Sequence, residues 1–305
     1  MAENSKLNIG FVGLGSMGMG MAQSLVRAGI PTKAYDIRPE AVATFVEAGG
    51  TGVGSVAEAA GGVDVLIIVV VNADQAEDVL FGAGNAAATL TQGSVVMLCS
   101  TVQPDYARST AARLEAMGLG MLDAPISGGP IKAAAGEMTI MASGKPALFE
   151  RLEPALSAMA ANVYPMGDDC GLGSTMKIIN QLLAGVNLAV SSEAMAFGAR
   201  AGMDPEKIYE VICASAGNSW MFENRVPHIL ADDYTPESAV DIWVKDLGIV
   251  LDTARGIRFP AYLAAVAHQM FMMTSAAGHG RLDDTAVVKM YEALMDFKVV
   301  NKETT

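Results

Sequence analysis

Two runs, "VDVLIIVVV" over residues 63–71 and "GSVVMLCS" over 93–100, constrain the fold of this chain more than any other feature. Both are of strand length, rich in β-branched residues and apolar without alternation, so a strand made from either must be covered on both faces. Each is followed by helical sequence. The same alternation begins with "LNIGFVG", a strand, and "MGMGMAQSLVRAG", a helix closed by Gly29. It continues with the strand "PTKAYD" and a helix that has Pro39 in its first turn and Gly49 past its end. "QPDYARSTAARLEAMG" again joins an early proline to a terminal glycine, and "GLGMLDAP" is the next strand. Strands alternating with helices from Leu7 to about Val163 predict an α/β domain, a doubly wound parallel sheet with helices on both faces and a ligand at the carboxyl ends of its strands. After Pro165 the strand pattern gives way to long helical periodicity. The expected division is therefore a first domain over 1–166 and a second over 167–305. In the latter, Asp204-Pro205 and Thr235-Pro236 each read as a helix cap followed by proline at the first helical position.

Composition sets the remaining bounds. A chain of 305 residues, 51% of them hydrophobic, can bury a core in each of two domains. The apolar run from Val65 to Val71 falls far short of the ~20 residues of a membrane span and is expected as a buried strand, with no membrane partner. The segment "MAENSKLNIG" has no apolar region ahead of the first strand, which predicts a cytoplasmic protein. Cys99, Cys170 and Cys213 lie far apart without a Cys-x-x-Cys pair, as reduced thiols would, and His228, His268 and His279 lack metal-ligand spacing; no metal is expected. A net charge of −13 with no Lys/Arg cluster argues against nucleic acid. The methionines of "AHQMFMMTSAA" fit helix packing or a subunit interface.

The first strand ends in Gly13-Leu14-Gly15-Ser16-Met17-Gly18. Glycine permits the tight turn and the close approach of a pyrophosphate, and the following helix N-terminus offers free amides and partial positive charge. A glycine-rich turn without a ligand is the alternative, but the flanking strand and helix, and Asp36 at the end of the second strand, favour a dinucleotide. A carboxylate at 36 can accept from both adenosine ribose hydroxyls and would repel a 2′-phosphate, which points to NAD. Arg38 could accommodate that phosphate, so NADP stays open. Asn72 and the pair Ser100-Thr101 end the next two strands on the same rim. All three residue types are good helix caps; capping is the better account of Ser100, and Thr101 is divided between capping and ligand.

In "DAPISGGPIKAAAG" (123–136), Ser127, Gly128 and Gly129 can turn their amides towards one anion, such as a carboxylate, or can form a plain turn. In "GSTMKIINQ" (173–181), Lys177, Asn180 and Gln181 lie at i, i+3 and i+4 on one face of an otherwise apolar helix. Lys177 could be a surface lysine reaching past an apolar interface. Beside a helix N-terminus, its ammonium form would instead be disfavoured, as a proton acceptor requires. Lys245-Asp246 has the look of a solvated face. Trp220 and Phe222 could wall a cleft or belong to the core.

"GFVGLGSMGMGMA", "DAPISGGPIKAAAG", "GSTMKIINQ" and "VKDLGIVLDTA" occur in the order and spacing of the β-hydroxyacid dehydrogenase family, relatives of 3-hydroxyisobutyrate dehydrogenase and tartronate semialdehyde reductase. The chain resembles that family over about residues 7–297. The resemblance implies a Rossmann domain, a long connecting helix and an all-α second domain, in dimers or tetramers that oxidise a small hydroxy acid with NAD(P). It makes Lys177 the catalytic lysine and has Ser127 to Gly129 hold the substrate carboxylate. Asn180 would hold the reacting hydroxyl or the lysine amine, with Gln181 beside the substrate. Thr101 and Lys245 would contact the dinucleotide, Lys245 from the second domain across a cleft, and Asn72, by its place on the same rim, is a candidate to join them. Within the family, "QLLAGVN", "SAGNSWMFENR", "AVDIWVKDLG" and "SAAGHGRLDD" look most like the L-threonate dehydrogenase branch. Pro130 and Lys132 depart from the glycine and alanine of many relatives. Lys132 can read extra substrate hydroxyls or simply face water. The alternatives are a 3-hydroxyisobutyrate or tartronate semialdehyde enzyme, a dinucleotide-binding module without turnover, and an imine reductase. Retention of Lys177 and of the Ser-Gly-Gly segment weighs against the last two.

Overall fold

The computed structural model describes residues 7–300, so residues 1–6 of the segment on which the export reading rests lie outside the described residues. The chain divides into two compact units, Met1–Lys177 and Ile178–Thr305. In the first, β1 (Ile9–Val12), β2 (Thr32–Tyr35), β3 (Thr51–Gly52), β4 (Val65–Ile68), β5 (Val95–Leu98) and β6 (Gly120–Asp123) form one parallel sheet in the order β3-β2-β1-β4-β5-β6. Their crossovers carry α1 (Gly18–Arg27), α2 (Pro39–Glu47), α3 (Val56–Ala60), α4 (Ala73–Leu80), α5 (Ala86–Thr89) and α6 (Pro104–Ala116). Strand order reverses between β1 and β4, which is where such a sheet opens a crevice at its carboxyl edge.

The unbroken apolar runs have the reason the sequence suggested. Val65, Ile67, Val95 and Met97 enter one core with Ile9 and Phe11 of β1, with Met21 and Leu25 of α1 and with Phe45 of α2. Leu66, Ile68, Val96 and Leu98 enter the other, with Leu80 of α4 and Leu114 of α6. Successive residues of a strand point to opposite faces, so both sets must be apolar. The 63–71 run outlasts its strand, however. The Val69 amide still donates to the Val12 carbonyl (2.9 Å), but the Val70 amide turns to Ser100 Oγ (3.0 Å) and Val71 is exposed. The last two valines thus leave the sheet at its carboxyl edge.

The regular alternation also stops earlier than the sequence suggested. After β6 come β7 (Ile126–Ser127), α7 (Gly129–Ala135), β8 (Met138–Ala142), α8 (Pro146–Met159) and β9 (Ala160–Pro165). The three strands form a separate sheet, β7-β8-β9, with β7 antiparallel to β8. Gly128 and Gly129, at φ 147° and 79°, turn the chain where a non-glycine residue would be strained.

The helix α9 (Leu172–Arg200) runs from the first unit into the second, which continues with α10 (Pro205–Cys213), α11 (Trp220–Ala231), α12 (Val240–Gly256), α13 (Tyr262–Thr274) and α14 (Val288–Met295). By length and composition α9 would also suit a membrane crossing. Leu188 and Met195 are instead buried in the second unit's two apolar clusters. Asp204 caps α10, its Oδ1 accepting from the Glu206 amide (3.1 Å), with Pro205 next. Thr235-Pro236 starts no helix; α12 begins after Ala239. The intervening amides already have partners: Thr235 donates to Asp233 Oδ1 (2.9 Å) and Glu237 to Asp283 Oδ2 (3.2 Å). Trp220 and Phe222 part company, the first 55% exposed and the second in the core.

Candidate active site

The three glycines of the first turn have three different reasons. Gly13, at φ 100°, lies so close to β4 that a Cβ would stand 2.1 Å from the Val69 carbonyl oxygen. At Gly18 a Cβ would meet the Gly13 carbonyl oxygen at 1.9 Å, so the helix could not start so near the strand. At Gly15 a Cβ would meet nothing within 4 Å. The helix beside that open space has no side-chain cap and no acid in its first turn. Leu14, Ser16 and Met17 complete the turn. Open backbone at a bare helix N-terminus fits a dinucleotide pyrophosphate.

Asp36 lies next to this turn. Its Oδ2 accepts from the Leu14 amide (2.7 Å), and its Oδ1 from the Arg38 amide (2.9 Å) and Nε (3.1 Å). Arg38 Nη2 reaches on to the Leu14 carbonyl (3.0 Å). Burial pushes the Asp36 carboxyl up, but the hydrogen bonds from Arg38 and Leu14 outweigh it and hold the group below its ordinary value. An ionised acceptor thus stands beside the glycine turn, braced by Arg38.

The strand-end residues divide. Asn72 does cap α4, its Oδ1 accepting from the Gln75 amide (2.9 Å). Ser100 caps nothing, contrary to expectation: α6 starts after Gln103, and Ser100 Oγ accepts from the Val70 amide across to the departing valine run. Thr101 is half-buried and not a cap either.

Ser127 closes β7, pairing with Thr139, and Gly128 leads directly into α7. The Ser-Gly-Gly segment is therefore a strand-to-helix junction rather than a free loop. α7 packs closely on α1: a Cβ on Gly20 would stand 2.5 Å from the Ala134 amide, and Ser24 Oγ lies 3.3 Å from the Ala133 carbonyl. The helix behind the candidate carboxylate site thus rests on the helix behind the dinucleotide turn. Lys132 is exposed, with its methylenes over Gly128.

The start of α9 is held by Asp123, the last residue of β6, which the sequence reading did not single out. Asp123 is fully buried. Its Oδ2 accepts from the amides of Gly171 (2.8 Å) and Ser174 (2.9 Å) and from Ser143 Oγ (3.3 Å), and its Oδ1 from Ser174 Oγ (2.7 Å). Ser143 Oγ in turn accepts from the Gly173 amide (3.0 Å). A Cβ on Gly173 would stand 2.5 Å from the Asp123 carbonyl oxygen, so only glycine fits. Burial holds the Asp123 carboxyl above its ordinary value, and these hydrogen bonds offset only part of that. Lys177, one turn beyond Ser174, is buried and engaged with the protein.

In the second unit, Asn180 Nδ2 donates to Gln181 Oε1 (2.9 Å), and Gln181 Nε2 donates to Asp246 Oδ2. Gln181 is buried, and both ends of its amide are engaged within the unit, which fixes Asn180 beside it. Lys245 and Asp246 are not a solvated pair. Asp246 is buried in the middle of α12, and its Oδ1 lies 2.8 Å from Lys245 Nζ.

Comparison with known proteins gives this arrangement a family. The NAD-binding domain of 6-phosphogluconate dehydrogenase matches residues 8–167, and the family described as "NAD-binding of NADP-dependent 3-hydroxyisobutyrate dehydrogenase" matches 171–291. The chain belongs to the β-hydroxyacid dehydrogenase family. Members of this family are hydroxyacid oxidoreductases that use a nicotinamide dinucleotide, and so is this chain. An L-threonate dehydrogenase of Cupriavidus necator is 56% identical over 287 residues, 94% of this chain and 97% of that one. One from Escherichia coli K12 is 52% identical, covering 96% and 98%. The crystal structure of a Salmonella typhimurium protein described as 3-hydroxyisobutyrate dehydrogenase superposes with a TM-score of 0.89 at 53% identity, over 93% and 99% of the two chains.

Proposed function

We propose that this enzyme oxidises the 2-hydroxyl of L-threonate, or of a closely similar short hydroxy acid, to the 2-oxo acid, with NAD as the hydride acceptor. The observation that carries the reading is the buried Lys177 on a helix whose first turn is fastened to Asp123, four residues before the Ser127 to Gly129 turn. The identity to L-threonate dehydrogenases over nearly the full length supports the choice of substrate.

In this reading the substrate carboxylate sits on Ser127, Gly128 and Gly129, and Lys132 meets its outer hydroxyls. Lys177 takes the proton of the 2-hydroxyl during oxidation and returns it in the reverse direction. Asn180, oriented by Gln181, holds that hydroxyl. Gly13 to Gly18 receive the pyrophosphate, Asp36 the ribose, and Thr101, Asn72 and Lys245 the rest of the dinucleotide. When bound, the nicotinamide supplies the hydride chemistry; the protein supplies position and the proton. Asp36, ionised and braced by Arg38, favours NAD over NADP. The enzyme works in the cytoplasm as a homodimer or homotetramer.

A second reading, a 3-hydroxyisobutyrate dehydrogenase, is favoured by the description of the Salmonella protein. Tartronate semialdehyde reduction belongs to the same mechanism. The test is NADH and NADPH formation with L-threonate, D-threonate, D-erythronate, 3-hydroxyisobutyrate and glycerate. Selective turnover of L-threonate with NAD is expected. Preference for 3-hydroxyisobutyrate or glycerate would keep the mechanism and replace the substrate, and silence from a folded, NAD-binding sample would overturn both.

A further inference from the structure

We propose that Asp123 is the positioning residue of the proton-transfer step: its carboxylate fastens the first turn of α9 to the end of β6 and so fixes where Lys177 stands relative to the substrate turn. The inference rests on the proposed role of Lys177 as proton acceptor.

Three observations carry it. The four groups around the carboxyl, two amides and two hydroxyls, all donate to it and favour its ionised form against the upward push of burial. Its contacts are concentrated on Gly171, Ser174 and, through Ser143, Gly173, the amides that a helix N-terminus leaves unpaired. Finally, the main chain of Asp123 is held independently of its side chain. Its amide donates to the Ser143 carbonyl (3.0 Å) and its carbonyl accepts from the Ser143 amide (2.8 Å). Strand β6 and the segment that leads to Ser127 therefore keep their course when the carboxylate is changed, while α9 loses its tether.

The carboxylate has a second, electrostatic consequence. The positive end of α9, which the sequence argument set against the Lys177 ammonium, is already matched by a buried negative charge. Cys99 and Cys170 also feel its charge; their thiols are pushed up chiefly by burial, Cys170 to about 11, and so stay neutral through the working range. Asp169 lies next to Cys170 in the chain, and the Arg108 side chain lies against Gly171. Removing the Asp123 charge therefore makes the Lys177 ammonium easier to deprotonate.

The experiment compares Asp123→Asn, Asp123→Ala, Ser174→Ala and Lys177→Ala in the full-length enzyme, using the hydroxy acid that the unmodified enzyme turns over best. It reads kcat, KM, the pH profile of kcat/KM, NAD affinity by titration and thermal midpoint. Asp123→Asn keeps an acceptor of the same shape, so kcat should stay within about tenfold while the limb of the pH profile belonging to the base moves down by about half a unit or more. In Asp123→Ala kcat should fall by about a hundredfold, as small displacements of a reacting group do, with NAD affinity little changed. Ser174→Ala, the milder variant should Asp123→Ala not fold, should lower kcat several-fold at unchanged KM. An unmoved pH limb in Asp123→Asn together with unchanged kcat in Ser174→Ala overturns the proposal, as does full kcat in Asp123→Ala. Lys177→Ala separates the two readings. If it retains kcat, the base assignment fails; if it alone loses kcat, the base stands and the positioning role of Asp123 fails.

Discussion

Gly15 and Gly18 sit three residues apart in the same turn and are required for opposite reasons. A side chain at 18 has no room inside the protein, whereas one at 15 has room but would stand in the space the geometry leaves beside the helix N-terminus. Gly18→Ala should cost about 2 kcal/mol or more of stability, seen as a lower urea midpoint. Gly15→Val should leave that midpoint unchanged and raise the KM for NAD at least about tenfold, a loss near 1.4 kcal/mol of binding. Asp36→Ala removes the ribose acceptor and frees Arg38, so NAD affinity should fall about tenfold while NADP use improves relative to it, measured as the ratio of the two kcat/KM values. An unchanged ratio would end the ribose assignment. At this scale the sequence was most informative where the chemistry is local. The glycine spacing, the strand before it and the helix after it lie within one short segment. It was least informative for Asp123, Ser100 and Gln181, whose partners lie elsewhere in the chain.

Among elements, β4 shows how burial on two faces writes itself into a run of apolar residues. Ile67 is fully buried, and Ile67→Ala should destabilise the first unit by about 3 kcal/mol with little change in the urea m-value. The helix-start signals fared unequally. Asp204-Pro205 caps α10, but Thr235-Pro236 does not open α12 because its neighbouring amides are taken by Asp233 and Asp283. That same segment adjoins a buried ion group. Burial pushes the Asp284 carboxyl up to about 6, against the pull of Arg225, while Trp243 Nε1 donates to its Oδ2 (2.8 Å). The ordinary value is about 3.9. Between the two, the folded state holds a proton that the unfolded chain does not, so this group's contribution is greatest below that window and is lost as pH rises through about 6. Asp284→Asn should flatten this slope in thermal midpoints taken from about pH 4 to 7, while lowering stability overall because Arg225 loses an anionic neighbour.

For the whole molecule, the most telling surface feature is the stripe Ile179, Leu183, Val190 and Phe197 along α9, exposed and at helical spacing, with Tyr262, Leu263 and Val266 exposed on α13. Exposed apolar residues repeated along a helix in this way mark association, in keeping with the proposed homo-oligomer. Leu183→Glu combined with Phe197→Glu should reduce the assembly in light scattering behind size exclusion, and unchanged mass would show that another face makes the contact. The doubly wound sheet, the glycine turn and the polar face at the start of α9 are legible along the chain, because strand burial, glycine sterics and helical period are properties of neighbours in sequence. That β4 stops short of its apolar run, and that Asp123 holds the helix carrying Lys177, emerges from contacts between distant segments. So does the pairing of Gln181 with Asp246, which leaves its other end to Asn180. A polar side chain forms its hydrogen bonds with whichever buried group folding brings beside it. Partners separated by 51 residues for Asp123 and Ser174, or by 65 for Gln181 and Asp246, leave no local pattern by which either would be recognised.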